Sequence, residues 1–213
     1  MNQHALATEA GSLLQAPPPA LSLRLRLETR DLHDRIEANG RFARLMAPDL
    51  TRAEYTALTA RLYGHHVAAE AALAAVAPLL PASLDLQRRL SRRAAFTADL
   101  RALGLDDRAI VMLPRCPGYR LRTAAQGWGL LYLLEGATLG GQLIARHLTG
   151  TLGLGPESGA AGVVPHGADT GLLWRQFKQV LDEAALLDGL DQDAVIASAR
   201  HGFATLDAWV AGA

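Results

Sequence analysis

From Leu21 onward the apolar residues recur with the period of a helix. Leu23, Leu27, Leu32 and Ile36 lie at spacings that a helix buries on one side. They predict a first helix from Leu21 to about Ala38, with Asn39-Gly40 as its stop. A shorter helix covers Arg41 to Met46, and Pro48-Asp49-Leu50-Thr51 is a turn. Thr51 followed by Glu54 has the spacing of a capping box and opens an alanine-rich helix, Arg52 to Val76, that ends at Pro78. Ser83 or Asp85 opens the next helix, which runs to about Leu103 and stops at Gly104. Asp106 to Met112 is one more short helix, and Pro114, Pro117 and Gly118 make a loop. The region from Gly150 to Gly171 is punctuated by Gly and Pro and reads mostly as loop, and two helices close the chain, Leu172 to Leu187 and Gln192 to Val210. Val163-Val164 is the only β-branched pair that hints at extended structure, and no strand alternation stands out. The pattern predicts an all-α fold.

The stretch from Gln126 to Leu148, QGWGLLYLLEGATLGGQLIARHL, reads as one long helix with the wrong residues for a helix. Gly127, Gly129, Gly136, Gly140 and Gly141 interrupt an apolar body. Each interior glycine costs roughly 0.8–1 kcal/mol relative to alanine, so the cluster needs a compensating reason. Gly136 and Gly140 are four apart and share a face of such a helix, with Gly141 about 100° further round. One reason is tight helix–helix packing. A second is a helix laid across a planar ligand, with glycines as the floor. A membrane span is a third, since no Lys or Arg occurs between Thr123 and Ala145, but Gln126, Glu135, Gln142 and the glycines argue against lipid. A phosphate loop is excluded, because no strand precedes the glycines and their spacing fits neither nucleotide fingerprint.

The 213 residues are read as one domain, 21–213, behind an Ala/Pro-rich lead, residues 1–20, expected to be disordered or loosely docked. His4 in that lead is a poor ligand candidate. Twenty-one basic residues balance 21 acidic ones, which leaves no global field to attract nucleic acid or a membrane surface. Lys178 is the only lysine. One cysteine, Cys116, rules out an internal disulfide and fits a reducing compartment. With no secretory signal pattern, the expected location is cytoplasmic.

Three groups of residues carry candidate chemistry. Arg26, Arg30 and His33 lie near one face of the first helix, with Glu37 one turn beyond His33. They read either as a surface stripe or as a neutral histidine offered to a metal or haem iron, its second nitrogen held by Glu37 and the arginines placed for ligand carboxylates. His65, His66 and Glu70 sit together in LYGHHVAAE. No pair of Glu-x-x-His motifs exists for a di-iron bundle, and a zinc site lacks a third clustered ligand, so a partly buried polar histidine is the default. Cys116, between prolines, reads as an inert loop thiol. His147, His166 and His201 have no usable ligand spacing.

From Leu25 to Val210 the chain resembles the biliverdin-forming haem oxygenases, in particular the bacterial branch found beside bacteriophytochromes. Thr29-x-x-x-His33 with Glu37 resembles that family's proximal helix, LYGHHVAAE its next pattern, and Asp99-Leu100-x-x-Leu103-Gly104 the one after. Leu134-Glu135-Gly136-Ala137-Thr138-Leu139-Gly140-Gly141-Gln142 resembles its distal-helix signature, the most specific of the four.

The resemblance implies haem b, both cofactor and substrate, held between two helices and cleaved with O2 and an external electron donor to biliverdin, CO and ferrous iron. It implies His33 as axial metal ligand, Glu37 as its orienter, and Gly136 and Gly140 as the floor under the distal face, with Gly141 beside them. It implies Arg26, Arg30 and Lys178 as propionate partners, Phe203 as part of the haem wall, and His66 in a distal water network. A ferredoxin or flavodoxin-type donor and a bacteriophytochrome as biliverdin acceptor would be its partners. Two positions depart from the pattern. Ala137 stands where many members carry an acidic residue, leaving His66, Thr138 and Glu135 to order water. Asp182 replaces an expected basic partner, leaving Lys178 alone or with Arg175. A haem carrier or sensor of the same fold is the second reading. A thiaminase-like helical enzyme using Cys116 is a third.

Overall fold

A computed structural model describes residues 19–187 and 189–212. The expected tail up to residue 18, with His4, lies outside the described residues. The described chain is all-α: α1 (Leu21–Glu28), α2 (Arg30–Ala38), α3 (Gly40–Leu45), α4 (Arg52–Val76), α5 (Leu86–Arg89), α6 (Arg92–Ala102), α7 (Asp107–Met112), α8 (Ala124–Gly136), α9 (Gly141–Leu152), α10 (Thr170–Ala185) and α11 (Gln192–Ala211). Among the described residues there is no strand. No helix among them is long and apolar enough to cross a membrane.

Three expected single helices are broken. The first breaks at Thr29, where φ −112° and ψ 1° leave the helical region and the hydroxyl donates to Leu25 O at 2.7 Å. Such a back-bond bends a helix slightly without having to end it, as at Thr56 and Thr59 of α4. The helix expected from residue 83 or 85 to 103 is split into α5 and α6, with Asp85 in the left-handed region at φ 48°. The glycine helix ends at Gly136 and restarts at Gly141. Across this elbow the backbone bonds tighten to the i to i+3 type, from Thr138 N to Glu135 O, Leu139 N to Gly136 O and Gly141 N to Thr138 O, each 3.1 Å. Between 150 and 171, expected as loop, lie three short 3-10 turns, and Val163 belongs to one of them, Ala161–Val163.

The core is built around α8, buried at every position from Gly127 to Glu135. α11 crosses it so closely that a Cβ on Gly129 would overlap Val195 O. Leu130, Leu131, Leu133, Phe177, Val195 and Phe203 fill the space around this crossing. α4 starts with the expected capping box, with both Thr51–Glu54 bonds made. Midway along it, a Cβ on Gly64 would overlap Pro114 O, and Cys116 N donates to Gly64 O at 3.2 Å. The proline loop therefore lies directly on α4. Asp99 of α6 accepts from Ala161 N and Gly162 N, each at 2.7 Å, and so fixes the 161–163 turn. That turn supports the elbow, because Gly141 stands against Val163 O where no side chain would fit.

Candidate functional site

Beneath the elbow is a cavity of about 70 Å³. Leu133, Leu134, Ala137, Ile144 and Leu206 make its apolar walls, and His65, His66 and Arg92 make a polar one. His66 is buried against Phe96, ring centroids 5.3 Å apart, and its Nδ1 has no hydrogen-bond partner among the described residues. Glu70 Oε1 stands 3.8 Å from that nitrogen but accepts from Arg93 N at 2.7 Å. Burial, helped by the nearby Arg92 charge, pushes His66 well below the ordinary histidine range, so the ring is neutral. Arg92 donates from Nε to Gly162 O at 3.1 Å. Burial lowers its guanidinium to about 10, which leaves it charged at neutral pH. Neutral His66 can carry a proton on either nitrogen, and Arg92 brings a positive charge to the same cavity.

The five glycines separate into two kinds. Gly127, Gly129 and Gly141 pack against neighbours: Val76, the α11 backbone and Val163 respectively. Gly136 and Gly140 do not. A Cβ on Gly136 would touch only Trp174, at 3.9 Å, and one on Gly140 would meet nothing within 4 Å among the described residues. Helix packing thus accounts for Gly141, given above as a neighbour of the ligand floor, and not for Gly136 or Gly140.

The Heme oxygenase family model matches residues 19–211 of this sequence. The chain belongs to the heme oxygenase family. Solved structures of similar fold include the NO- and CO-bound haem oxygenase of Neisseria meningitidis, with 23% identity, TM-score 0.71 and 91% of each chain covered. Haem oxygenase from Leptospira interrogans is 17% identical with TM-score 0.74, over 91% of this chain and 99% of that one. The haem complex of haem oxygenase-1 from the cyanobacterium Synechocystis is 16% identical with TM-score 0.67, over 90% and 91%. Comparison with curated proteins gives no match.

His33, on α2, is exposed, with its ring 6.3 Å from Phe203 and its Nδ1 3.7 Å from Glu37 Oε1. Phe203 is one turn of α11 from Leu206, which lines the cavity. The same face of α11 therefore leads from His33 to the cavity beneath the elbow. No residue of α2 is buried. Polar contacts hold it: Arg35 to Asp207 at 2.7 Å, Asn39 to the other Asp207 oxygen at 2.7 Å, and Asp31 to Arg200 at 2.8 and 3.0 Å.

Arg26 and Arg30 stand on opposite sides of the Thr29 break, so the single stripe read from the sequence is bent between them. Arg26 is exposed and acts electrostatically on Tyr132, whose ring is 5.7 Å from Trp174. Lys178 Nζ lies 5.7 Å from the Trp174 ring. Lys178 thus stands beside the Tyr132–Trp174 pair, and Trp174 is the neighbour of Gly136. Arg30 is 3.9 Å from Asp34, both exposed. Asp182 binds Ser22 through its backbone N and its hydroxyl, each at 2.7 Å, and so ties α10 to the start of α1.

Of the three groups left to order water, only His66 lines the cavity. The Thr138 hydroxyl donates to Glu135 O at 2.7 Å and closes the end of α8. Glu135 pairs with buried Arg89 at 2.5 Å. Arg92 is the residue that sequence reasoning missed. Its signal was an arginine on the buried stripe Arg92, Phe96, Asp99 and Leu100.

Proposed function

We propose that this chain degrades haem, opening the ring with O2 and external electrons to release biliverdin, CO and ferrous iron. The observation that carries the reading is the pair Gly136 and Gly140, where a Cβ would meet only Trp174 or nothing, on the elbow whose Ala137 lines a cavity with a polar wall. A side chain at either position would stand where a flat ligand could lie against the backbone. The residues present fit such a ligand: an imidazole on the proximal side, Lys178 beside Trp174, and a buried unpartnered histidine nitrogen on the distal side.

Bound haem supplies the iron that activates O2 and the carbon that is oxidised. In this reading His33 would hold the iron, and Glu37, already 3.7 Å from its Nδ1, would orient the ring. Phe203, its ring 6.3 Å from the His33 imidazole, would form part of the wall. Arg26, Arg30 and Lys178 would be the cations available to pair with the carboxylates of the ligand. Gly136 and Gly140 admit the ring close to the elbow, and Gly141 holds the elbow on the 161–163 turn. His66 holds water in the cavity and passes a proton, while Arg92 favours developing negative charge there. A ferredoxin or flavodoxin-type protein as donor, a bacteriophytochrome as biliverdin acceptor and a cytoplasmic location rest on the resemblance of the motifs.

A haem carrier or sensor is favoured by one observation: Ala137, which lines the cavity, brings no acid to it. Adding haem, then reductant in air, separates the readings. A biliverdin spectrum is expected; a spectrum that stays that of haem means a carrier. His33→Ala should lose axial nitrogen ligation and regain it in part with added imidazole. An unchanged haem spectrum in that variant would overturn the role of His33.

A further inference from the structure

The inner cavity has a neighbour. A groove of about 950 Å³ runs between α4, the loop at residues 116–121, the start of α8 and α11. Tyr119 and His201 line it. His65 separates the two spaces. Its Nε2 is 2.7 Å from Tyr119 Oη on the groove side, while the residue lines the inner cavity beside His66, ring centroids 5.1 Å apart. We propose that Tyr119 and His65 form a proton relay from the groove into the cavity, with Tyr119 and His65 acting through the water and His66 they supply. The proposal rests on the haem-degrading reading, in which reduction of O2 consumes protons inside the cavity.

The sequence explains why the contact exists. Gly64 lets the proline loop lie on α4, and the Cys116 N to Gly64 O bond at 3.2 Å pins it there. Tyr119, three residues on, then reaches the side chain next to Gly64. The following residue, His66, faces Phe96 and the cavity. Adjacent histidines thus serve different neighbours.

His65 Nδ1 and His66 Nδ1 are both buried without a hydrogen-bond partner among the described residues. The cavity between α4 and the elbow has space for about two waters at roughly 30 Å³ each, and its polar wall supplies their partners. Burial pushes His65 down to about 3, so it works by exchanging tautomers and not by storing charge. In one transfer, Tyr119 Oη–H gives its proton to His65 Nε2 while His65 Nδ1–H gives one to the cavity. Tyr119 regains a proton from water in the groove, with the exposed His201 ring 6.4 Å from its own. One proton enters, one leaves, and no charge remains on the ring. A flip of the imidazole then turns the protonated nitrogen toward the cavity and the bare one toward Tyr119, ready for the next transfer.

The test compares wild type with Tyr119→Phe and His65→Gln. Phenylalanine keeps the ring and removes the hydroxyl; glutamine keeps a neutral donor to Tyr119 but cannot relay. In haem-free protein, nitrogen-15 NMR of the imidazoles reads solvent exchange of the ring protons. The relay predicts exchange at His65 slowed several-fold in Tyr119→Phe, and exchange at His66 slowed in both variants, whereas a variant that is merely less stable would exchange faster. In haem-loaded protein, single turnovers in H2O and D2O should be several-fold slower in both variants, with a larger solvent isotope effect. Wild-type exchange in the variants would overturn the relay. Slowed exchange with wild-type turnover and isotope effect would overturn its part in the reaction. Failure of wild type to consume haem would instead sink the functional reading, while the exchange measurement still decides the relay.

Discussion

Arg89 and Glu135 meet at 2.5 Å, both almost wholly buried, one residue before the elbow begins. His166 Nε2 stands 3.7 Å from the other oxygen of the same carboxylate. Arg89 also donates to Leu84 O at 2.8 Å and Leu173 O at 3.2 Å. The pair therefore fastens α5, α8 and α10 together at the point where the candidate site's backbone turns.

Removing one partner leaves the other charge buried and uncompensated. Glu135→Leu or Arg89→Met alone should cost about 3–5 kcal/mol in denaturant unfolding. The double variant should recover much of that loss, because an apolar pair of similar volume no longer needs solvation. Additive losses in the double variant would show that the pair does not act as a unit.

α2 depends on a different kind of attachment. With no fully buried residue of its own, it packs Leu32 and Ile36 on the core and is tied to α11 by Asp31 to Arg200 and, at its C-terminal end, by Asp207, which receives both Arg35 and Asn39. Asp207→Ala should cost about 1–3 kcal/mol, from one buried Asn39 N–H left unpaired, the amide keeping its bond to the backbone O of residue 207, and from the lost Arg35 contact. Amide hydrogen exchange over residues 30–38 should speed up more than in α8, and haem affinity should fall. Uniform loss of protection across the fold would mean that Asp207 supports the core and not α2 in particular.

The helices were legible where local signals agree: the apolar period of α4 and α11, and the Thr51–Glu54 cap. The breaks at Thr29 and 137–140 were not. A hydroxyl turns back on its own backbone at each, but Thr56 and Thr59 do the same inside unbroken α4, and at the elbow the distant Val163 stands against Gly141. Sequence treats the five glycines alike; only their distant neighbours divide them into packed and open. His33, Glu37 and His66 could be named because motif spacing survives in one dimension. Arg92 left a faint periodic trace on α6. Tyr119 left none, since its contact with His65 depends on the Gly64–Pro114 approach.

Acid should unfold the protein partly through His65 and His66. Burial lowers the folded-state value of His65 from the ordinary 6.5 to about 3, and that of His66 well below 6.5. The unfolded chain then binds more protons between those limits. Stability is full above about 6.5 and falls as pH drops, by about 1.4 kcal/mol per pH unit for each histidine. The Arg92 charge beside both rings adds to the effect, while Tyr119 is neutral there. Glu70 and Asp99, raised by burial, work the other way at the acidic end, because they take up protons in the folded state first. His65→Gln should flatten the slope of unfolding free energy between pH 6 and 4, by roughly one histidine's share. An unchanged slope would mean that water solvates the charged ring in place.

Gly140 and Gly141 are neighbours with opposite surroundings, and one methyl group at each separates packing from ligand contact. A Cβ on Gly141 would overlap Val163 O, a backbone atom fixed by Asp99 through the 161–163 turn. Gly141→Ala should therefore cost at least about 1–3 kcal/mol, typical of overpacking, and lower activity mainly by unfolding. Gly140 has φ −72° and ψ −15°, open to any residue, and nothing within 4 Å of a Cβ. Gly140→Ala should leave stability unchanged or raise it by about 0.4–1 kcal/mol, since alanine restricts the unfolded chain. Yet it should weaken haem binding or slow biliverdin formation, because the methyl projects where the ligand face would lie. Thermal melts of the haem-free variants beside single-turnover assays read the two effects separately. A stable Gly140→Ala that binds and consumes haem like wild type would remove the floor from the proposed site, whatever Gly141→Ala does.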